Sequence, residues 1–83
     1  MPYISREQRV ELDRWLSKLE LPRWKLGDLN YVITKHLLNT NPENYQDYDT
    51  LIGLLECIKL EFYRRAVAPY EDRKRDENGE VYY

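Results

Sequence analysis

Apolar side chains recur at three- and four-residue intervals along most of this chain, and the intervals break at three places. Leu12, Trp15, Leu16 and Leu19 form one helical stripe, and Ser5 followed by Gln8 is a capping-box pair ahead of it. Together they predict a helix over about 6–20, closed by Leu21-Pro22, because the residue before a proline is pushed out of the α region. A connector over 22–28 ends in Gly27-Asp28, where the Asp28 carboxylate is placed to accept the first free amides of a second helix over about 28–39. Leu29, Val32, Ile33, His36 and Leu37 line one face of that helix, and Asn39-Thr40-Asn41-Pro42 stops it. Asn44 with Asp47 then opens the longest segment, over about 45–67, with Tyr48, Leu51, Leu55, Ile58 and Phe62 on one stripe. Ile52, Leu54 and Leu60 widen that stripe until the helix is apolar on more than one side. Ala68-Pro69 is expected to end it. A polar tail over 68–83 comes next, about half charged, with Asn78-Gly79 as its turn and Val81-Tyr82-Tyr83 free to add an edge strand or fold back. One such strand makes no sheet. The pattern predicts an all-α fold: a compact three-helix domain with a long third helix and a short polar tail.

Composition bears on how such a domain is held together. With 83 residues the chain is a single domain, of a size at which a solitary core is marginal. One cysteine rules out an intrachain disulfide, and one histidine beside it rules out a zinc-finger framework. Self-association is the remaining remedy, so the wide apolar face of the third helix is expected to join a homo-oligomer. Thirteen basic against fifteen acidic side chains give a net charge of −2, which speaks against general nucleic-acid binding. The charge is uneven: residues 1–42 hold seven basic and five acidic groups (+2), and residues 43–83 hold six and ten (−4). Opposite signs favour docking of the halves, within a chain or between chains. No apolar run reaches membrane-spanning length and the start lacks an apolar signal core, so the expected setting is cytoplasmic, with Cys57 a free thiol.

Four stretches carry a family resemblance: GDLNY at 27–31, LIGLLECIKLEFYRR at 51–65, APYEDRK at 68–74 and ENGEVY at 77–82. In these the chain resembles a small domain-of-unknown-function family of hypothetical proteins from bacteria and their phages. The resemblance implies a phage or prophage setting and no mechanism.

Candidate chemistry concentrates where the third helix ends. Arg64 and Arg65, with Tyr63 and Tyr70 beside them, suggest an anion pocket: guanidiniums take phosphate bidentately, and tyrosine rings stack on a base. The plainer reading is a charge-complemented helix C-terminus with Glu61–Arg65 as an i,i+4 pair, and it is the commoner outcome. Adjacent helical residues point about 100° apart, so only one of the two arginines is expected to face a given pocket. Asp28 and Asn30, with Tyr31, begin the second helix and either add polar selectivity at a ligand or serve as cap and packing residues.

Other groups carry less. Glu56 and Glu61 lie about 140° apart on their helix, so they are no catalytic pair, and Glu56 is expected to pair with Lys59. His36 reads as a packing residue, and Gly53 with Cys57 offers a small face for a close helix approach. Trp15, Trp24, Tyr48 and Tyr63 suit a core or an interface. No phosphate loop, metal motif or nucleophile–base set exists, so neither an enzyme nor a cofactor is expected. The sequence points instead to a non-catalytic, homo-oligomeric protein that captures a small anionic, nucleotide-like ligand, such as a host defence signal. Its site is expected at a subunit junction near the end of the third helix. The alternative is an interaction module that acts on a host or phage partner through its helices and acidic tail.

Overall fold

Two reciprocal bonds start the first helix, α1 (Arg6–Ser17). The Ser5 hydroxyl oxygen accepts from the Gln8 amide, and the Ser5 amide donates to the Gln8 side-chain oxygen, both at 3.1 Å. Such a cap contributes roughly 0.5–2 kcal/mol to a helix. In this computed structural model, residues 4–18 and 25–82 are described. Leu19, Leu21-Pro22 and Trp24 lie outside them. The described part of α1 closes at Lys18, whose ammonium sits 4.7 Å above the Trp15 ring.

The second helix, α2 (Leu26–Leu38), begins earlier than its sequence pattern suggests. Lys25 is the extended N-cap residue, and the Leu29 amide bonds to its carbonyl at 3.0 Å. That bond draws Gly27 into the helix and moves Asp28 into the first turn. Asp28 is therefore not the cap: no side chain caps this helix, and the Asp28 carboxylate contributes through the helix dipole alone. At the other end the predicted breaker works as expected. The Asn39 amide closes on the Lys35 carbonyl, the Thr40 hydroxyl donates to the Leu37 carbonyl at 2.6 Å, and Asn41 turns left-handed at φ 58° ahead of Pro42. Asparagine is among the few non-glycine residues that accept this conformation cheaply.

The chain divides into two units, Met1–Asn41 and Pro42–Tyr83. The second unit opens on α3 (Tyr45–Phe62), capped as its sequence predicts. The Asn44 side-chain oxygen accepts from the Asp47 amide at 2.9 Å, and the Asp47 carboxylate accepts from the Glu43 amide at 2.9 Å. The far end departs from expectation. A five-residue π-turn, Tyr63–Val67, continues α3 without a break, and a further helix, α4 (Ala68–Asn78), continues the π-turn. Residues 68–78 are thus helix and not tail, and Ala68-Pro69 does not end the run.

The reason lies in the turn's width. In an α-helix the Pro69 ring would meet the carbonyl four residues back, that of Arg65. Here the Ala68 amide reaches back five residues to the Tyr63 carbonyl, which opens the coil just ahead of the proline. Pro69 then falls in the first turn of α4, where a missing amide is tolerated. The run ends at Gly79, at φ 90° and ψ 159°, a conformation open to glycine and strained for other residues. Its amide bonds to the Arg75 carbonyl at 2.7 Å. The Glu80 carboxylate then accepts from the Val81 and Tyr82 amides, both at 3.1 Å, and no strand forms among the described residues.

Among the described residues the fold is all-α, in three uninterrupted helical runs. No described residue is fully buried. On α3, Leu51 and Leu55 are half-buried, whereas Ile52 and Phe62 are each 66% exposed. Nothing lies within 4 Å of where a Cβ on Gly53 would sit, so no described neighbour within the chain uses its small face.

Candidate functional site

Arg64 and Arg65 meet on one carboxylate. Arg64 Nη2 donates to Glu61 Oε1 at 2.9 Å and to Oε2 at 3.1 Å, and Arg65 Nε donates to Oε1 at 2.5 Å. Helix geometry explains the convergence. Three residues of helix turn about 300° and four turn about 400°, so Glu61 lies between the two arginines in projection. Two side chains that diverge by about 100° can therefore fold inward onto the same group. Divergence by about 100° thus does not keep the two arginines from sharing one partner. The predicted Glu61–Arg65 pair is present, and Arg64 joins it.

This pairing holds the Glu61 carboxyl below its ordinary range, chiefly through the hydrogen bond from Arg65 and then that from Arg64. Both guanidiniums remain well exposed, and Glu61 is about one-third exposed at 36%. The Arg65 contact uses Nε, which leaves its Nη1 and Nη2 without an acceptor among the described residues.

Tyr63, the first residue of the π-turn, engages α4. Its hydroxyl lies 3.0 Å from both oxygens of the Glu71 carboxylate and donates to them. That bond, more than the negative charge behind it, raises the Tyr63 phenol above its ordinary range. Tyr70 belongs to a separate arrangement on α4, with the Arg73 guanidinium at 5.9 Å and the Lys74 ammonium at 5.7 Å from its ring centre. Cations at these distances from a ring face are attracted by its quadrupole.

Asp28 and Asn30 lie in the first unit, on α2. Asn30 is engaged within its own helix, its side-chain oxygen accepting from the Thr34 hydroxyl at 3.0 Å. The structure thus brings Tyr63, Arg64 and Arg65 onto one turn and sets Tyr70 on the next helix, while Asp28 and Asn30 share a different element.

Two open grooves accompany these residues. One runs along α2 past Gly27, Asn30, Tyr31 and Leu38. The other, of about 470 Å³, lies between α4 and the turned-back tail, lined in part by Tyr70, Arg75, Gly79 and Tyr82. Neither is enclosed, and neither includes the two arginines of the turn.

Two partnerships of this region go beyond those expected from the sequence. That of Glu71 with Tyr63 depends on the π-turn, and its only signal is a proline inside otherwise helical spacing. That of Glu61 with Arg64 is overshadowed by the Glu61–Arg65 pair, although its three-residue spacing is equally visible. Glu56 pairs with Lys59 at 3.0 Å, as expected. Among the described residues no three His, Cys, Asp or Glu side chains are grouped to hold a metal ion, and no helix is long and apolar enough to cross a membrane.

The model of one protein family, described as Domain of unknown function (DUF6899), matches residues 1–81. The chain belongs to that family. The DUF6899 match takes in the four described helices, α1 to α4, and the π-turn, so the arginine pair and its carboxylate lie within the family's domain. No curated protein and no solved structure matches the chain.

Proposed function

We propose that this chain is a non-catalytic binding protein that assembles with copies of itself through α3 and takes a small anionic, nucleotide-like ligand at its π-turn. The observation that carries the reading is the meeting of Arg64 and Arg65 on a single half-buried carboxylate. Two guanidiniums gathered within one turn form a ready receptor for a phosphate group, since each presents planar donors of the right spacing. Tyr70, already flanked by Arg73 and Lys74, offers a ring on which a base can stack.

Self-assembly is supported by the apolar side chains that α3 leaves exposed, among them Ile52, Ile58, Leu60 and Phe62. A second copy covering that face would give each subunit the compact core that no described residue has alone. A phage or prophage setting, with the ligand a host defence signal in the cytoplasm, rests on the motif resemblance seen in the sequence. The same exposed face also favours a second reading, an interaction module that docks on a protein partner.

Native mass spectrometry of protein purified from cells separates the two. Retention of a small molecule of nucleotide mass by an oligomer is the expected result. An oligomer that retains nothing, binds none of a panel of nucleotides, and carries a stoichiometric protein partner would replace the first reading with the second. Arg64→Ala and Arg65→Ala, each checked for unchanged subunit number, are expected to weaken retention about 10-fold or more if the guanidiniums take the phosphate.

A further inference from the structure

An exposed ion pair between one arginine and one carboxylate contributes little by itself. Here a single carboxylate accepts from two arginines, and it occupies the point on which Arg64 Nη2 and Arg65 Nε converge. We infer that Glu61 is a built-in counter-anion seated in the ligand's place, and that the ligand's phosphate displaces it. This rests on the proposed anion-binding reading and specifies how that site is filled.

Three observations lead there. The first is chemical: guanidinium N–H groups donate to carboxylate and phosphate oxygens alike, and Arg64 Nη2 and Arg65 Nε already converge on the Glu61 oxygens, so those oxygens mark a seat suited to a phosphoryl group. The second is charge: Arg64 and Arg65 against Glu61 leave one positive charge unbalanced, and a group carrying two negative charges would balance the pair once Glu61 swings out. The class of ligand is therefore a terminal phosphate or a pyrophosphate, not a carboxylate. The third is access. Glu61 is 36% exposed and both arginines more so, so the carboxylate exchanges arginine for water at little cost. Tyr63, whose hydroxyl is engaged by Glu71, does not compete for the seat.

The test is isothermal titration of the full chain with inorganic pyrophosphate at low ionic strength, for the parent, Glu61→Gln and the double variant Glu61→Gln/Arg64→Ala. Circular dichroism and light scattering confirm equal helicity and subunit number. Removing the competitor is expected to tighten binding about two- to fivefold in Glu61→Gln, the scale of one exposed ion pair, and the double variant is expected to lose that gain. Equal or weaker binding by Glu61→Gln overturns the inference: weaker binding would make Glu61 a residue that holds the arginines in position. If pyrophosphate binds neither the parent nor Glu61→Gln, the anion-binding reading itself fails, and this inference with it.

Discussion

The Tyr63 hydroxyl and the Glu71 carboxylate meet at 3.0 Å although eight residues separate them. In an unbroken α-helix eight residues turn about 800°, which leaves such a pair some 80° apart around the axis. Seven residues turn about 700°, nearly two full turns, and bring side chains onto one line. The π-turn takes up one residue without advancing the helix, so Glu71 stands where a seventh residue would. The bond thus spans the widened turn and ties α3 to α4.

Replacing Tyr63 by phenylalanine keeps the ring and removes this tie. Amide exchange over 68–78 is expected to quicken roughly two- to fivefold, with little change over 45–60, as hydrogen-exchange mass spectrometry can show. In the parent, the Tyr63 phenol ionises above its ordinary value of 10.0. A raised value means that the tie is intact below pH 10 and is lost as the pH rises through the folded-state midpoint. Ultraviolet difference titration should find one late-ionising tyrosine that is missing from Tyr63→Phe.

The arginine pair has the opposite sign. Glu61 ionises below its ordinary value of 4.5, so its contribution is present above that pH and disappears as the pH falls through the depressed value. Carbon-detected NMR of the Glu61 carboxyl should place its midpoint below that ordinary value. Arg65→Ala should move the midpoint upward more than Arg64→Ala, because the Arg65 bond is the larger cause.

Pro69→Ala tests why the turn is wide. With alanine there, no ring opposes the Arg65 carbonyl and an amide becomes available. The variant should gain stability, by less than the ~3 kcal/mol of an unrelieved interior proline, since the π-turn already relieves most of the clash. Thermal denaturation monitored by circular dichroism measures this, and an unchanged or lowered midpoint would count against the account.

At the other end of α3, Asn44→Ala removes the acceptor of the Asp47 amide. A loss of about 1 kcal/mol is expected in urea denaturation, with Asn44→Asp close to the parent.

Self-assembly through α3 is checked by Phe62→Asp and Ile58→Asp. Both side chains are exposed in the single chain, so a carboxylate there costs little in an isolated subunit and much inside an apolar interface. Light scattering should show a smaller assembly for each variant. A parent that is already monomeric at micromolar concentration would remove self-assembly altogether.

The features legible in the sequence are those with local causes. Ser5 with Gln8, Asn44 with Asp47, and the 39–42 breaker act within four residues, and each takes its predicted form. Asp28 misleads because a good capping side chain does not oblige a helix to start there: Leu26 and Gly27 can join the helix, and the Lys25 carbonyl closes the turn first. Pro69 misleads more seriously. A proline ends a helix only if the preceding coil stays narrow, and that depends on hydrogen bonds no single residue type signals. With α4 hidden, the partnership of Tyr63 with Glu71 is hidden too. The gathering of Arg64 and Arg65 is within reach of the sequence, because Glu61 stands three and four residues before them.

The widened turn also bears on descent. A turn that absorbs one residue and leaves the next helix unrotated has the geometry that one residue inserted into a straight helix would produce. Remove one residue between 63 and 67, and α4 would keep its orientation toward α3, but Pro69 would face a carbonyl with no room for its ring. Chain length at this point and the presence of that proline should therefore change together among relatives, the shorter ones having some other residue in its place.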